Sequence, residues 1–494
     1  MVDRRSRPPH RLRDLMSKSA AGFAIAVILA VVGVAFSPAA FAQVAASPRI
    51  HTTSGGLPCV PTVEGPIAVA AASQPYMPSL LPALPVGWVD QEFFLSCASA
   101  QITYRTSVDV RRPANARRAS GITVVEPLHS GGIFGVLTNC QPYLVAHGDV
   151  HIGVAANSDV VQRLVKSADP GRYATLDVPT SSEAENDILA GVGAVLHEQH
   201  DALLPGIRVT DAVLGGWSQT SVQVRDFIAS SGGRATVNGR RVYDGYFPAQ
   251  PAVGTGGGAE LGPIPDVGVP VVELQGEREL LVTLQIYGSV GYRRPDSATY
   301  RLYEVPGMSH INYEPDDPVS AYARSLQCDW PPGASPSTFK QTQVWDAALD
   351  NLVRWVSRGI PAPHAQRIEL ESDGKTVIRD ANGNALGGLR TVFVDVPTAT
   401  IVPTSLAPGG VVANPCAYVG YQLDLSQTQL EQLYRSHAGY VASVVADANR
   451  LVGERWLLPV SASELIAEAK ASSVLESRST GVAAAIHTAP GGLL

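Results

Sequence analysis

Gly215-Gly216-Trp217-Ser218-Gln219-Thr220, directly after the mostly apolar run Val209 to Leu214, constrains the fold of this chain more than any other segment. A strand that ends in a glycine-flanked serine and continues into a helix carries the hydroxyl on a sharp turn. There it stands clear of the sheet and beside backbone N–H donors. An ordinary serine gains nothing from that position, whereas a nucleophilic one gains its access. Gly-x-Ser-x-small also arises by chance in plain β-α turns, so the neighbouring elements have to decide.

Those neighbours alternate strand and helix. Ile102 to Val110, Ile122 to Val125 and Val150 to Ala156 read as strands. A helix is predicted over about 182–200, opened by a Ser182-x-x-Glu185 capping box, with Ile188, Leu189, Val192 and Leu196 on one face. After the serine turn a second helix carries Val224, Phe227 and Ile228. The stretch 249–268, broken by Gly254, Gly256, Gly257, Gly258 and prolines, reads as a loop or short lid insertion. Val269 to Leu274 and Tyr300 to Val305 resume the sheet. A helix at about 342–358 turns Trp345, Leu349, Leu352 and Val356 inward and stops at Gly359 and Pro361. The expected fold class is therefore α/β, with a mostly parallel central sheet and helices on both faces.

Past about 366 the pattern changes. Arg367–Leu370 and Thr391–Val396 are strand-like, and three helices follow, two opened by Ser426-x-x-Gln429 and Ser461-x-x-Glu464. The expected divisions are a signal peptide at 1–42, a flexible lead-in at 43–85, the α/β core at 86–365, and an α+β extension packed on the core at 366–494.

The first residues belong to targeting. Arg4, Arg5, Arg7, Arg11, Arg13 and Lys18 precede the apolar run Ala20 to Phe36, and Ala40-Phe41-Ala42 supplies the small-x-small cleavage pattern before Gln43. The expected protein is exported: secreted, periplasmic or cell-wall associated. Removing six basic and two acidic leader residues takes the net charge from −7 to about −11, which disfavours nucleic acid as a partner. No further apolar run is long enough to span a membrane. The cysteines are Cys59, Cys97, Cys140, Cys328 and Cys416, an odd set. Outside the cytosol Cys328 with Cys416 and Cys59 with Cys97 are candidate pairs, although spacing does not fix connectivity.

A serine needs a base beside it and a third group to orient that base. In hydrolases built on such a sheet the chain order is serine, acid, histidine, and that order is present. Glu277 and Glu279 follow the strand ending at Leu274-Gln275-Gly276, and His310 follows the next strand in a glycine-led loop. Glu279 is preferred because Gly-x-x-acid after this strand is the recurrent placement. Glu277 is the alternative, and Asp296 a weaker third candidate. The oxyanion donors expected are the N–H of Gln219 and that of Leu128 or His129, in the loop His129-Ser130-Gly131-Gly132. His197-Glu198-Gln199-His200 spaces its histidines three apart instead of four, and Gly254 to Gly258 lacks a preceding strand and a lysine. No metal or organic cofactor is expected.

These residues resemble a family. Glu92-Phe93-Phe94-Leu95-Ser96, Val110-Arg111-Arg112-Pro113, Asp169-Pro170-Gly171-Arg172-Tyr173 and Gly216-Trp217-Ser218-Gln219 are similar to segments of alpha/beta-hydrolase-domain proteins with a Gly-x-Ser-Gln-small elbow. So are Arg294-Pro295-Asp296-Ser297, Arg301-Leu302-Tyr303-Glu304-Val305-Pro306-Gly307 with His310, and the run Gly383 to Thr391. The resemblance implies an α/β-hydrolase fold that includes the C-terminal segment, and it carries over Ser218 and His310. Two departures stand out: Thr220 where the general elbow has glycine, and Glu277-Arg278-Glu279 where Glu-x-Asp is expected. The expected function is a serine hydrolase acting on a small-molecule or lipid carboxylic ester through an acyl-enzyme. A non-catalytic binding protein on the same fold, or an acyltransferase, are the alternatives.

Overall fold

The computed structural model describes residues 57–77, 83–133, 135–230, 232–253, 260–314, 318–405 and 415–476. The expected leader at 1–42 lies outside them.

A nine-stranded mixed sheet forms the centre. Its strands are β1 (Thr62–Glu64), β2 (Trp88–Ala98), β3 (Thr103–Pro113), β4 (Ile122–Pro127), β5 (Val150–Val154), β6 (Asp211–Ser218), β7 (Gly245–Pro251), β8 (Val271–Gly276) and β9 (Tyr300–Val305). In space they run β1-β2-β3-β5-β4-β6-β7-β8-β9. From β5 to β9 every neighbour is parallel, while β1, β2 and β3 form an antiparallel edge. The parallel strands are covered on both faces, which is why they read as near-continuous apolar runs. On one face α1 (Gly135–His147) packs with α5 (Gln341–Arg358). On the other α3 (Gln219–Ala229) packs with α2 (Ser182–Glu198). A further helix of the core, α4 (Glu277–Tyr287), follows β8 directly.

Several expected elements differ in detail. Residues 62–64 of the expected lead-in form strand β1, paired with β2, and Cys59 is disulfide-bonded to Cys97 in β2. Strand β2 was masked in the sequence by Asp90 and Glu92, which turn inward against Arg111 and Arg172. Helix α2 is capped by Ser181, whose hydroxyl accepts from the N–H of Ala184; Glu185 instead accepts from Asn157 and Gln223. Within 249–268, residues up to Pro251 complete β7, and Ile264 and Val267 are buried against the core. Residues 254–259 are outside the described set.

The C-terminal segment shares the main core through Ile368, Leu389, Ile401 and Val419. A small sheet crosses the expected boundary at 366. Strand β10 (Ala334–Pro336) pairs with β12 (Tyr421–Asp424), which pairs in turn with β11 (Ala399–Val402). Val392–Asp395, expected as strand, is a helical turn with Val392 and Val394 buried. Helices α6 (Gln427–Tyr434), α7 (His437–Gly453) and α8 (Pro459–Ala471) follow. Ser426 caps α6 reciprocally with Gln429, whereas Ser461 lies inside α8, because Pro459 at the first turn starts that helix earlier.

A second disulfide joins Cys328 to Cys416 across 88 residues, and Cys140 is a buried free thiol. A cross-link over a loop of that length restricts the unfolded chain strongly. Replacing both Cys328 and Cys416 by serine is expected to lower stability by about 3–4 kcal/mol, read as a fall in the urea midpoint with an unchanged slope.

Candidate active site

Strand β6 leaves register with β7 between Trp217 and Ser218, and at that point the backbone of Ser218 turns to φ 58° and ψ −119°. A non-glycine residue there costs about 1–3 kcal/mol and persists only where its surroundings impose it. Gly216 makes the turn possible: a Cβ on it would stand 2.6 Å from the carbonyl oxygen of Thr220. Thr220 has a local role of its own, since its hydroxyl accepts from the N–H of Trp217 and donates to the Trp217 carbonyl. Ser218 occupies the N-cap position of α3 without capping it. Its hydroxyl meets Nε2 of His310 at 2.9 Å.

His310 is delivered by a left-handed turn at Gly307 (φ 76°) after β9. Gln250, at the end of β7, donates from Nε2 to the Ser309 carbonyl and accepts from Trp345, bracing the loop. Nδ1 of His310 meets Oε1 of Glu279 at 2.7 Å, and Oε2 of Glu279 accepts from the N–H of Gly276 at 3.0 Å. All three side chains are buried. Glu277 goes elsewhere. Two residues apart on α4 the carboxylates point in different directions, and Glu277 accepts from the N–H of Gly307 and from Arg379, each at 2.7 Å. Asp296 is also away from the site, paired with Arg367 and His364.

The electrostatics follow from burial and two partners. Burial alone would raise the Glu279 carboxyl, but the hydrogen bond and charge of His310, with the charge of Arg278, hold it below the ordinary value. Burial pushes the His310 imidazole down, against the Glu279 bond and charge that raise it, and Arg278 pushes it down further. The ring is thus neutral at neutral pH, with Glu279 accepting at Nδ1 and a lone pair of Nε2 facing the serine hydroxyl. Such an array can remove a hydroxyl proton as the oxygen attacks a carbonyl.

Arg278 and Tyr418 were not singled out in the sequence. Arg278 is fully buried beside Glu279, at 3.4 Å, and its guanidinium lies 4.7 Å over the Tyr418 ring. Tyr418 packs 5.2 Å from His310, and its carbonyl accepts from the N–H of Ile311. It comes from the C-terminal segment, two residues beyond Cys416, and no local motif marks it.

The expected oxyanion donors divide. Gln219 is the first residue of α3, where an N–H has no intrahelical acceptor. The other two are engaged: Leu128 N–H donates to Val154 O at 2.7 Å and His129 N–H to Ile133 O at 3.1 Å. The loop turns back on itself and on β5, so these amides face the protein.

The sequence model of the family described as alpha/beta hydrolase domain matches residues 63–467. Among solved structures, a dienelactone hydrolase from Anabaena variabilis is 14% identical with TM-score 0.28, over 48% of this chain and 94% of its own. Est1E from Butyrivibrio proteoclasticus is 13% identical with TM-score 0.28, over 47% and 98%. A cold-adapted esterase from an Arctic intertidal metagenomic library is 16% identical with TM-score 0.25, over 44% and 83%. No curated protein sequence matches the chain.

Proposed function

The chain belongs to the alpha/beta hydrolase domain family, and from that premise we propose that it is an exported serine hydrolase cleaving carboxylic esters. The observation that carries this reading is the continuous chain from Ser218 through His310 to Glu279, at 2.9 and 2.7 Å. Ser218 Oγ attacks the ester carbonyl as its proton passes to His310 Nε2. The imidazolium, steadied by Glu279, returns that proton to the departing alcohol. Water then attacks the acyl-serine by the same route in reverse, releasing the acid and restoring the serine. Backbone N–H of Gln219 faces the charge that develops on the carbonyl oxygen.

Export is supported by the basic-apolar leader before Gln43 and by two disulfides, which persist in oxidising compartments. Among the described residues no helix is long and apolar enough to cross a membrane. The test is treatment of the exported protein with a fluorophosphonate probe and mapping of the adduct by mass spectrometry. One adduct on Ser218, on a chain beginning at Gln43, is the expected result. Folded protein that takes no adduct contradicts the reading.

The pH profile offers a second check. Because burial lowers His310, the acidic limb of kcat/KM should have its midpoint below the ordinary histidine value of about 6.5. Arg278 disfavours the imidazolium, so Arg278→Met removes that repulsion and raises the His310 pKa. The limb should therefore move to higher pH. A shift to lower pH would contradict the proposed electrostatics.

A further inference from the structure

The loop after β4 holds a donor of a different kind from the one its sequence suggests. In addition to Leu128 and His129, Ser130 N–H donates to Gln219 Oε1 at 3.0 Å, Gly131 N–H to His129 Nδ1 at 2.8 Å, and Gly132 N–H to His129 O at 2.8 Å. Every amide from 128 to 132 is therefore engaged. A tetrahedral intermediate on Ser218 carries a full negative charge on oxygen, and one amide from Gln219 leaves it underserved.

The His129 side chain can meet that need. A backbone N–H pointing at Nδ1 requires a lone pair there, so the single proton of the neutral ring sits on Nε2. Burial first, and the charge of His310 second, push the His129 pKa down to about 3, which keeps the ring neutral. Its Nε2 is shielded from solvent and has no hydrogen-bond partner among the described residues. Buried N–H groups are rarely left this way, and those that are call for an explanation. The ring also packs at the serine turn. It packs 5.7 Å from Trp217, the residue before Ser218, and Trp217 stacks 4.9 Å on His310. The Ser130–Gln219 bond clamps the loop to the residue after the serine.

We propose that His129 Nε2–H is the second oxyanion donor, hydrogen-bonding the substrate carbonyl oxygen as it gains charge during attack by Ser218. The proposal rests on the serine-hydrolase reading. The short bond from Gly131 to Nδ1 fixes the tautomer in advance, so the donor need not reorganise when the charge appears. Trp217 Nε1 is also buried without a partner among the described residues and is the competing donor.

The experiment uses the full mature protein and p-nitrophenyl esters, comparing wild type with His129→Ala, His129→Gln and Trp217→Phe, each first titrated with fluorophosphonate. His129→Ala should lower kcat about 10²–10³-fold with little change in KM. His129→Gln, which keeps an N–H near the same place, should recover part of the loss. Independently, ¹⁵N-histidine NMR of the wild type should find His129 protonated at Nε2. That proton should move downfield when a boronic acid forms a tetrahedral anion on Ser218.

If His129→Ala folds and keeps wild-type kcat, or the Nε2 proton is unmoved by the boronate, the proposal is overturned. So it is if Trp217→Phe carries the loss in place of His129→Ala. Wild type that accepts neither probe at Ser218 overturns the hydrolase reading and this proposal together, whereas a labelled wild type with indifferent His129 variants overturns the proposal alone.

Discussion

Ester hydrolysis should fall about 10⁶-fold in kcat when Ser218 is replaced by alanine, with the fluorophosphonate adduct lost and the fold retained. The size of the loss follows from interdependence. In the proposed mechanism the three side chains act as one unit: without the hydroxyl, His310 has no proton to take and Glu279 no charge to balance. Retention of the fold follows from what the hydroxyl does, because Ser218 does not cap α3 and, among the described residues, its hydroxyl hydrogen-bonds only the His310 ring. The backbone adds an internal control. At φ 58° a side chain of any kind is strained, so Ser218→Gly should be as inactive as Ser218→Ala yet more stable by about 1 kcal/mol. Thermal or urea unfolding of the two variants reads that difference. Residual hydrolysis near the wild-type level in either variant would remove Ser218 from the chemistry.

The parts of this site that could be read from sequence are the local ones. The turn at Ser218 needs Gly216 two residues before it and a helix directly after it, all within one short segment. The order of serine, acid and histidine is set by strands β6, β8 and β9 in turn, each announced by its own apolar run. What escaped the reading depends on contacts remote in the chain. Leu128 and His129 were expected to offer their amides, but Val154 and Ile133 take them. Arg278 stood in plain view between the two candidate acids. Its position under Tyr418 depends on a segment some 140 residues later, joined through β12 and Cys416. Likewise Trp88–Ala98 hid its strand character because the usual sign of burial, apolar alternation, is interrupted. There Glu92 is buried and Asp90 half-buried against arginine partners.

The choice between Glu277 and Glu279 shows the same limit, and substitution separates them. Glu279→Gln is expected to lower kcat about 10⁴-fold, because the wild-type carboxylate accepts on both oxygens, from His310 Nδ1 and from Gly276 N–H. An amide cannot do both. With its NH₂ towards His310, it forces the ring into the tautomer that carries hydrogen on Nε2, which cannot take the serine proton. With its NH₂ towards Gly276, two buried donors face each other and α4 loses its first-turn contact. Either way the loss falls on kcat, and the His310 pKa drops further because its raising partners are gone. The residual acidic limb should therefore move to lower pH, opposite in sign to Arg278→Met. Glu277→Gln should behave differently. It weakens the Arg379 pairing and keeps an acceptor for Gly307 N–H, so the expected cost is stability, about 1–3 kcal/mol, with kcat within about tenfold of wild type. Loss of kcat in Glu277→Gln, with Glu279→Gln merely destabilised, would reverse the assignment. Distinguishing the two needs kcat and the unfolding midpoint measured on the same preparations, since a fall in activity alone follows from either residue once the protein begins to unfold.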